Sequence, residues 1–599
     1  MADTKGIIKA VRERMVQEGL DAYIVPFTDP HQSEYIPAHF KFREWISGFT
    51  GSAGVVVITL DFAGLWTDSR YFLQAGEQLR GSGIELVRLN VPHTPEYIDW
   101  LIDALSPGSK AALDGRFFPA SLLRSFTGLL GASGIELVTN SDLLSTLWNN
   151  LPPLPGRPIE EYPLEYAGTD RSQKIALVRQ ELAAKQADYL FIAPLDEIAW
   201  LFNLRGSDVD FSPVFVAFAV IGLEEALLFA EITAITDTLR DKLTQEGVTL
   251  RSYSDLYPWL ESLPQGFSFL LAPEKTTGAA YSLIASKARI LEGMNPTTFL
   301  KAIRNETEIE ALKAVMIKDG IAWVNTLCWI DQCIRTGEPL TELSVARQIA
   351  ANRARQNGYR GESFHPISSY HHHGAVVHYS VTEESSIPLQ PHGIYLLDSG
   401  GQFLGGTTDT TRTITLGKPT REQQADFTLA LKGTLGVSML RFPKGTRGYQ
   451  IDVLARNALW QAGKNYGHGT GHGVGSYLNV HEGPQSMGTS ASGYLQVTLD
   501  PGMILTIEPA VYVEGEYGMR TENMLLIIPD SETSYGTFYR FETLTWVPID
   551  RNLIDVTLLS PAEKSWIDGY HQAVWETLAQ ELDGDVREWL RRATLPLTQ

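Results

Sequence analysis

GIYLLDSGGQFLGGTTDTTRTITL, residues 393–416, sets an apolar run before one acid, Asp398, and a threonine-rich run after a second, Asp409, with a glycine-rich interval between. Eleven residues of separation between strand-forming runs predict two antiparallel strands joined by a turn at GGQFLGG, with the carboxylates facing one another across the ladder. The same grammar recurs in MILTIEPAVYVEGEYGMRTENMLLII, residues 503–528, where Glu508 and Glu522 stand 14 apart about EGEYG. Acids beside buried strands need a partner, because an unpaired buried charge is costly. His472, in GTGHGVG, completes a set of four carboxylates and one imidazole. Two divalent cations would cancel its four negative charges and let a bridging water ionise near neutral pH. Without metal such a cluster repels itself. Any one of these acids alone reads more simply as a turn residue or a salt-bridge partner; the ordered set of five reads as a two-metal hydrolytic site.

Helices alternate with these strands. Asn305 and Glu308 form a capping-box start, after which Ile309, Leu312, Met316, Trp323, Leu327 and Ile330 recur at helical spacing. A second helix starts at Thr420 with Gln423 and carries Phe427 and Leu431 on one face. Helices on one side of a curved antiparallel sheet are the α+β expectation for this part.

Upstream, LPPLPGRP at 151–158 fixes dihedrals and removes backbone donors, which suits a linker. Similar phrases flank it: DAYIVP then Trp45 and Ser52, and DYLFIAP then Trp200 and Ser207, the Trp-to-Ser interval being seven residues in both. This predicts a duplicated α/β unit, with chance likeness of two α/β domains as the alternative. The expected domains are 1–150, 159–300 and 301–599, the last including a C-terminal extension.

A chain of 599 residues exceeds what one core serves, and 44% hydrophobic with 20% charged residues is ordinary globular composition. A net charge of −21 argues against nucleic acid as a partner. Its longest apolar stretch, VFVAFAVIGL at 214–223, is too short to span a membrane, and the N-terminus lacks signal-peptide features, so a cytoplasmic location is expected. Cys328 and Cys333, five apart on a predicted helix, suggest buried thiols.

The ordered set DSG, TTDTTRT, HGTGHGVG, EP and RTEN resembles the pita-bread metallopeptidases. SGFTGSAG at 47–54, LWTDSRYFLQA at 65–75, DEIAWLFNLRGSDV at 196–209, YGHGTGHGVGSYLNVHEGP at 466–484 and WVPIDRNLID at 546–555 extend that likeness to the three-domain cytosolic Xaa-Pro aminopeptidases, across essentially the whole chain. The resemblance implies an α+β pita-bread catalytic domain behind two creatinase-like α/β domains. It implies that Asp409 and Glu522 bridge two metals, that Asp398 completes one, and that His472 and Glu508 complete the other, with Glu508 also the general base. A carboxylate-rich set with one imidazole favours manganese, with cobalt or zinc able to substitute.

By the same resemblance His378, His468 and His481 contact substrate or intermediate without binding metal, where an imidazole donates to an oxyanion or passes a proton to the leaving nitrogen. The glycines of GHGTGHG let the backbone pass close to substrate or metal. Tyr512 is expected beside His468 and His481 in a pocket for proline, whose tertiary amide carries no N–H and whose φ is fixed. Arg520 is placed to neutralise Glu522, to hold Tyr512 and substrate, or to form a purely structural ion pair. Arg70 has a counterpart that reaches the substrate cleft, against a local salt bridge with Asp68. The run His371, His372 and His373 has no counterpart and is assigned no role, and Ala510 stands where relatives often carry glycine.

The reading is therefore an aminopeptidase that releases the first residue from peptides with proline second. The alternatives are a prolidase-like dipeptidase with the same five ligands but two domains, and a pita-bread scaffold that binds without catalysis. The sequence LIDVTLLSPAEKSWIDGYHQAVWETLAQELDGDVREWLRRA carries Trp566, Tyr570, Val574 and Leu578 at helical spacing, more apolar surface than a chain end needs. With the dimeric relatives it predicts a homodimer through the C-terminal domain, packing on the same chain being the alternative.

Overall fold

The structure is a computed structural model that describes residues 3–68, 70–91, 94–490 and 496–597; Ser69 of LWTDSRYFLQA falls outside them. The chain forms two compact units, one of residues 1–162, 169–210 and 214–297, the other of residues 163–168, 211–213 and 298–599. This division is coarser than the three parts read from the sequence.

The N-terminal unit holds two six-stranded sheets. The first runs, edge to edge, Glu85–Arg88, Ala63–Thr67, Val55–Thr59, Ala22–Val25, Lys110–Ala112 and Glu136–Val138. The second runs Val248–Ser252, Ala226–Ala230, Ala217–Gly222, Tyr189–Ile192, Ser268–Leu271 and Arg289–Glu292. Strand order and sense agree throughout: the second to fourth strands pair antiparallel, and the outer pairs on both sides are parallel. The repeated Trp-to-Ser phrase thus sits in two copies of one topology. In each copy a helix precedes the central strand: Thr4–Glu18 buries Ile8, Val11 and Met15, and Arg171–Lys185, started by an Asp170–Gln173 capping box, buries Ile175, Val178 and Leu182. The long apolar run at 214–223 becomes the fully buried strand Ala217–Gly222, since a sheet covered on both faces needs no polar alternation.

The C-terminal unit opens with the 31-residue helix Glu306–Thr336, capped by Asn305 and Glu308 and stopped by Gly337 in the left-handed conformation. Leu312, Met316, Trp323, Leu327 and Ile330 are buried on it. Arg421–Ser438, with its Thr420–Gln423 box, buries Phe427 and Leu431. Two antiparallel sheets carry the acids: Ile367–Tyr370, Ile394–Asp398 and Thr411–Thr415 in one, and Arg441–Pro443, Gly536–Thr543, Asn523–Thr533 and Ile504–Ile507 in the other.

Two expectations need correction here. Neither acid pair brackets a simple turn. Asp398 pairs with Thr411, so Asp409 lies two residues beyond the ladder, and the interval folds into a small hairpin, Gly401–Phe403 with Gly406–Thr407. Ile507 pairs with Asn523, and EGEYG turns a separate hairpin, Ala510–Val513 with Tyr517–Arg520. Glycine-rich intervals of this length have enough backbone to pair with themselves before the main ladder resumes. The second correction concerns helix Pro561–Leu578: Tyr570, Val574 and Leu578 are buried in a core with Leu431, Ile549 and Leu553, and Trp566 stacks on Tyr570 with ring centroids 5.2 Å apart. That apolar face is used within its own unit. Cys328 and Cys333 are buried free thiols. Among the described residues no helix is long and apolar enough to cross a membrane.

Candidate metal centre

Each acid of the C-terminal unit sits where a strand leaves or enters its sheet, which points the side chain off the ladder end instead of into a neighbour. Asp398 ends its strand and Glu508 follows Ile507, while Asp409 and Glu522 precede Thr411 and Asn523. Cross-links fix the two sheets to one another at this point: the Glu522 N–H donates to the Thr411 carbonyl at 3.1 Å, and the Thr411 hydroxyl to Glu522 Oε2 at 2.8 Å. The Glu508 N–H donates to the Thr470 carbonyl at 2.8 Å, bringing in the histidine loop.

Donor atoms of Asp398, Asp409 and Glu522 lie within 4.8 Å of one another, and so do those of His472, Glu508 and Glu522. Glu522 belongs to both groups. A third group of the same tightness joins Asp409 and His472 to His481, so His481 is within ligand distance as well, although it is exposed. His472 Nδ1 donates to the Gly473 carbonyl at 2.9 Å, which leaves the Nε2 lone pair facing Asp409 Oδ2 at 3.4 Å and Glu508 Oε1 at 3.9 Å.

The electrostatics of the bare cluster are those of a cation site. Burial, then its three acidic neighbours, push Glu522 well above the usual carboxylate range. Burial raises Glu508 to about 7 and Asp398 to about 6, with His472 and Arg520 respectively opposing the rise. Asp398 Oδ1 is buried with no hydrogen-bond partner. A buried, unpartnered carboxylate oxygen among three other acids is what a hard divalent ion would satisfy, and the donor set fits two of them.

Arg520 resolves the three options left open for it. It donates through Nη2 to Asp398 Oδ2 at 2.6 Å and through Nη1 to the Tyr512 hydroxyl at 2.5 Å, while Nε reaches the Thr411 hydroxyl at 3.1 Å. Its ion pair is with Asp398, not Glu522. The chain continues: His468 Nδ1 donates to the Gly469 carbonyl at 2.7 Å, so its Nε2 accepts from the Tyr512 hydroxyl at 2.9 Å. Burial and Arg520 lower His468 to about 3, and burial raises Tyr512 to about 12, so both are neutral donors or acceptors near pH 7.

His378 is exposed on the loop after Ile367–Tyr370, and its charge would be felt at His468. Arg70 stands in the N-terminal unit, forked on Asp68 with both contacts at 2.7 Å. His468 and His472 share no helix: His472 lies in a two-residue strand paired with Ser486–Met487. Of the GHGTGHG glycines, Gly471 and Gly473 make room for protein backbone, while Gly467 faces open space. A Cβ on Gly471 would fall 1.9 Å from the Thr506 carbonyl oxygen, and one on Gly473 2.0 Å from that of Glu482. Ala510 is fully buried opposite Arg520, its methyl accommodated.

Two supports of the site were not read from the sequence. Arg456 donates to the carbonyls of Tyr466 and His468 at 2.8 Å each and to Asp452 at 2.8 Å, which holds the histidine loop on helix Gly448–Gln461. Glu482, beside His481, is buried against Lys301 at 3.3 Å and Arg304 at 2.7 Å. The i,i+4 pair Asp452–Arg456 was a legible signal; Lys301 and Arg304, about 180 residues away in sequence, left none.

Comparison with known proteins agrees with this geometry. Residues 310–529 match the model of metallopeptidase family M24, residues 537–597 its C-terminal region, and residues 7–147 and 150–308 two creatinase/prolidase N-terminal domain models. The chain is 38% identical over 613 residues to the probable Xaa-Pro aminopeptidase P of Sordaria macrospora, covering 99% of each chain. It is 37% identical to aminopeptidase P2 of Arabidopsis thaliana, covering 97% of this chain and 86% of that one. The crystal structure of X-prolyl aminopeptidase from Caenorhabditis elegans, described as a cytosolic enzyme with a di-nuclear active site, superposes with a TM-score of 0.92 at 31% identity over 99% of both chains. The chain belongs to metallopeptidase family M24, in its aminopeptidase P group, with two creatinase-type α/β domains ahead of an α+β catalytic domain.

Proposed function

We infer that this chain is a dinuclear-metal aminopeptidase that hydrolyses the N-terminal Xaa-Pro bond of peptides. The observation that carries this reading is the shared position of Glu522 in two donor groups, one completed by Asp398 and Asp409 and the other by His472 and Glu508, in a chain similar throughout to Xaa-Pro aminopeptidases. Asp409 and Glu522 are assigned as bridges, Asp398 to one ion, and His472 and Glu508 to the other. Manganese is the expected pair, cobalt and zinc being compatible with the same donors. Two such ions supply polarisation of the scissile carbonyl and a water acidic enough to be deprotonated near neutral pH.

The remaining work falls to side chains. Glu508 accepts the water's proton and returns it toward the leaving nitrogen. His378 and His481 donate to charge developing on the carbonyl oxygen and the departing ring nitrogen. The substrate's amine meets Asp398, whose charge is held in place by Arg520. Tyr512 and His468, linked to Arg520, form one wall for the proline ring. General aminopeptidase pockets that bind an amide hydrogen at the second residue reject proline, which has none.

The test is a substrate series with the manganese-loaded enzyme. Xaa-Pro-Xaa tripeptides and longer peptides are cleaved after the first residue, Xaa-Ala-Xaa is nearly inert, and acetylation of the amine stops the reaction. Equal rates on Xaa-Pro and Xaa-Ala would refute the specificity while leaving the metal centre. Cleavage of Xaa-Pro dipeptides alone would favour the prolidase-like reading, which the two N-terminal domain matches already disfavour.

We also propose a cytoplasmic homodimer. With helix Pro561–Leu578 turned inward, the surface assigned to a second copy is helix Gly448–Gln461, where the adjacent Val453 and Leu454 and, about two turns on, Trp460 are exposed. Light scattering at micromolar concentration reads it directly, a monomer overturning the proposal.

A further inference from the structure

The run His371–His373 has no role in the site described above, yet one buried carboxylate ties it to the loop that carries His378. Glu342 is fully buried in the first turn of helix Glu342–Ala354, where the helix dipole favours a negative charge. Its side chain accepts four different donors: the Tyr370 N–H at 2.7 Å, the His373 Nδ1–H at 2.9 Å, the Tyr379 hydroxyl at 3.0 Å and the Ile387 N–H at 3.1 Å. Tyr370 precedes and Ile387 lies in the later part of the loop that joins Ile367–Tyr370 to Ile394–Asp398, and His373 and Tyr379 stand on either side of His378 within it. The rings of His373 and Tyr379 stack at 4.4 Å, and His371 turns the chain through φ 56°, a conformation uncommon outside glycine.

The loop so held meets the site at a contact with no slack. A Cβ on Gly374 would lie 2.8 Å from the Gly518 nitrogen, and one on Gly518 only 1.7 Å from the Gly374 oxygen. Gly518 pairs with Tyr512 in the hairpin whose Arg520 holds Asp398. Two backbones in direct contact transmit displacement with nothing to absorb it.

We propose that Glu342, acting through His373 and Tyr379, is the positioning group that sets His378 against the Tyr512–Arg520 hairpin. The proposal rests on the assignment of His378 to the chemistry. A charged acceptor shared by four donors of one loop fixes that loop's register, and misplacing a donor group by about 1 Å costs up to about 100-fold in rate.

The experiment is a double-mutant cycle in the full-length manganese-loaded enzyme with an Xaa-Pro-Xaa tripeptide. His373 is half-buried on the loop surface, so His373→Ala spares the core that Glu342→Gln would disturb. His373→Ala is expected to lower kcat about 10- to 100-fold with KM within about threefold and metal content unchanged. His373→Asn, which keeps an N–H toward Glu342, restores most of the loss. In a His378→Ala background the further loss from His373→Ala vanishes. A His373→Ala enzyme of wild-type kcat, or an equal loss with and without His378, would overturn the proposal. His378→Ala alone with full activity would instead remove the His378 assignment, and the two failures are thereby told apart.

Discussion

Removing the metals and returning them at different pH values tests the electrostatic account of the centre. The bare cluster holds protons that the ions must displace. Near pH 6, Asp398, raised to about 6, carries about half a proton, and Glu508, raised to about 7, carries nearly a whole one. Glu522 is held well above the ordinary carboxylate range by burial and its acidic neighbours, which acts in the same direction. From Asp398 and Glu508, loading both ions therefore releases about one and a half protons near pH 6 and about a tenth of one near pH 8. The affinity gains one decade per pH unit for each proton released, so these two carboxylates raise the overall affinity about tenfold between pH 6 and 7. The sign follows from the direction of the shifts. Because these carboxylates bind protons more tightly folded than unfolded, the metal-free fold loses their contribution as pH rises through 4 to 7, and the stabilisation conferred by metal grows over the same window. Burial holds His468 and His571 neutral, a shift in the opposite direction. Calorimetric titration of manganese into stripped protein, in buffers of different ionisation enthalpy, counts the protons directly. Affinity that stays flat from pH 6 to 7.5, with no buffer dependence, would refute the reasoning.

Glu508→Ala removes a donor and the base together; turnover falls below a tenth of wild type while circular dichroism stays native, and a faster variant would sink that assignment. His378→Ala lowers kcat about 100-fold or more with little change in KM, as expected for a donor whose bond strengthens on the oxyanion. Arg520→Met leaves Asp398 without its 2.6 Å partner, so the acid rises further and metal affinity at pH 7 falls; a variant that binds manganese as well as wild type would show the pair to be idle. Gly471→Ala forces a methyl to 1.9 Å from the Thr506 oxygen and should displace the histidine strand, costing metal binding and thermal stability together.

Much of the chemistry was written in local sequence. The five donors stand in short phrases whose residue types are dictated by metal charge and ladder ends, so the order Asp398, Asp409, His472, Glu508, Glu522 was readable before any fold. Helix starts at Asn305 and Thr420 were equally legible, because a capping box is complete within four residues. So was the repeated α/β unit, whose strand order recurs in both sheets. What the tertiary structure decided was register and partnership. Residue spacing could not show that each acid interval folds into its own hairpin, nor that Arg520 would choose Asp398 over Glu522, since separations of two and of 122 residues along the chain are both compatible with a 2.6 Å contact. The apolar face of Pro561–Leu578 looked like an interface only while its core was unseen. The histidine run acquired a reading from Glu342, some thirty residues earlier, because a buried carboxylate collects donors by proximity in space, which periodicity along a chain does not encode.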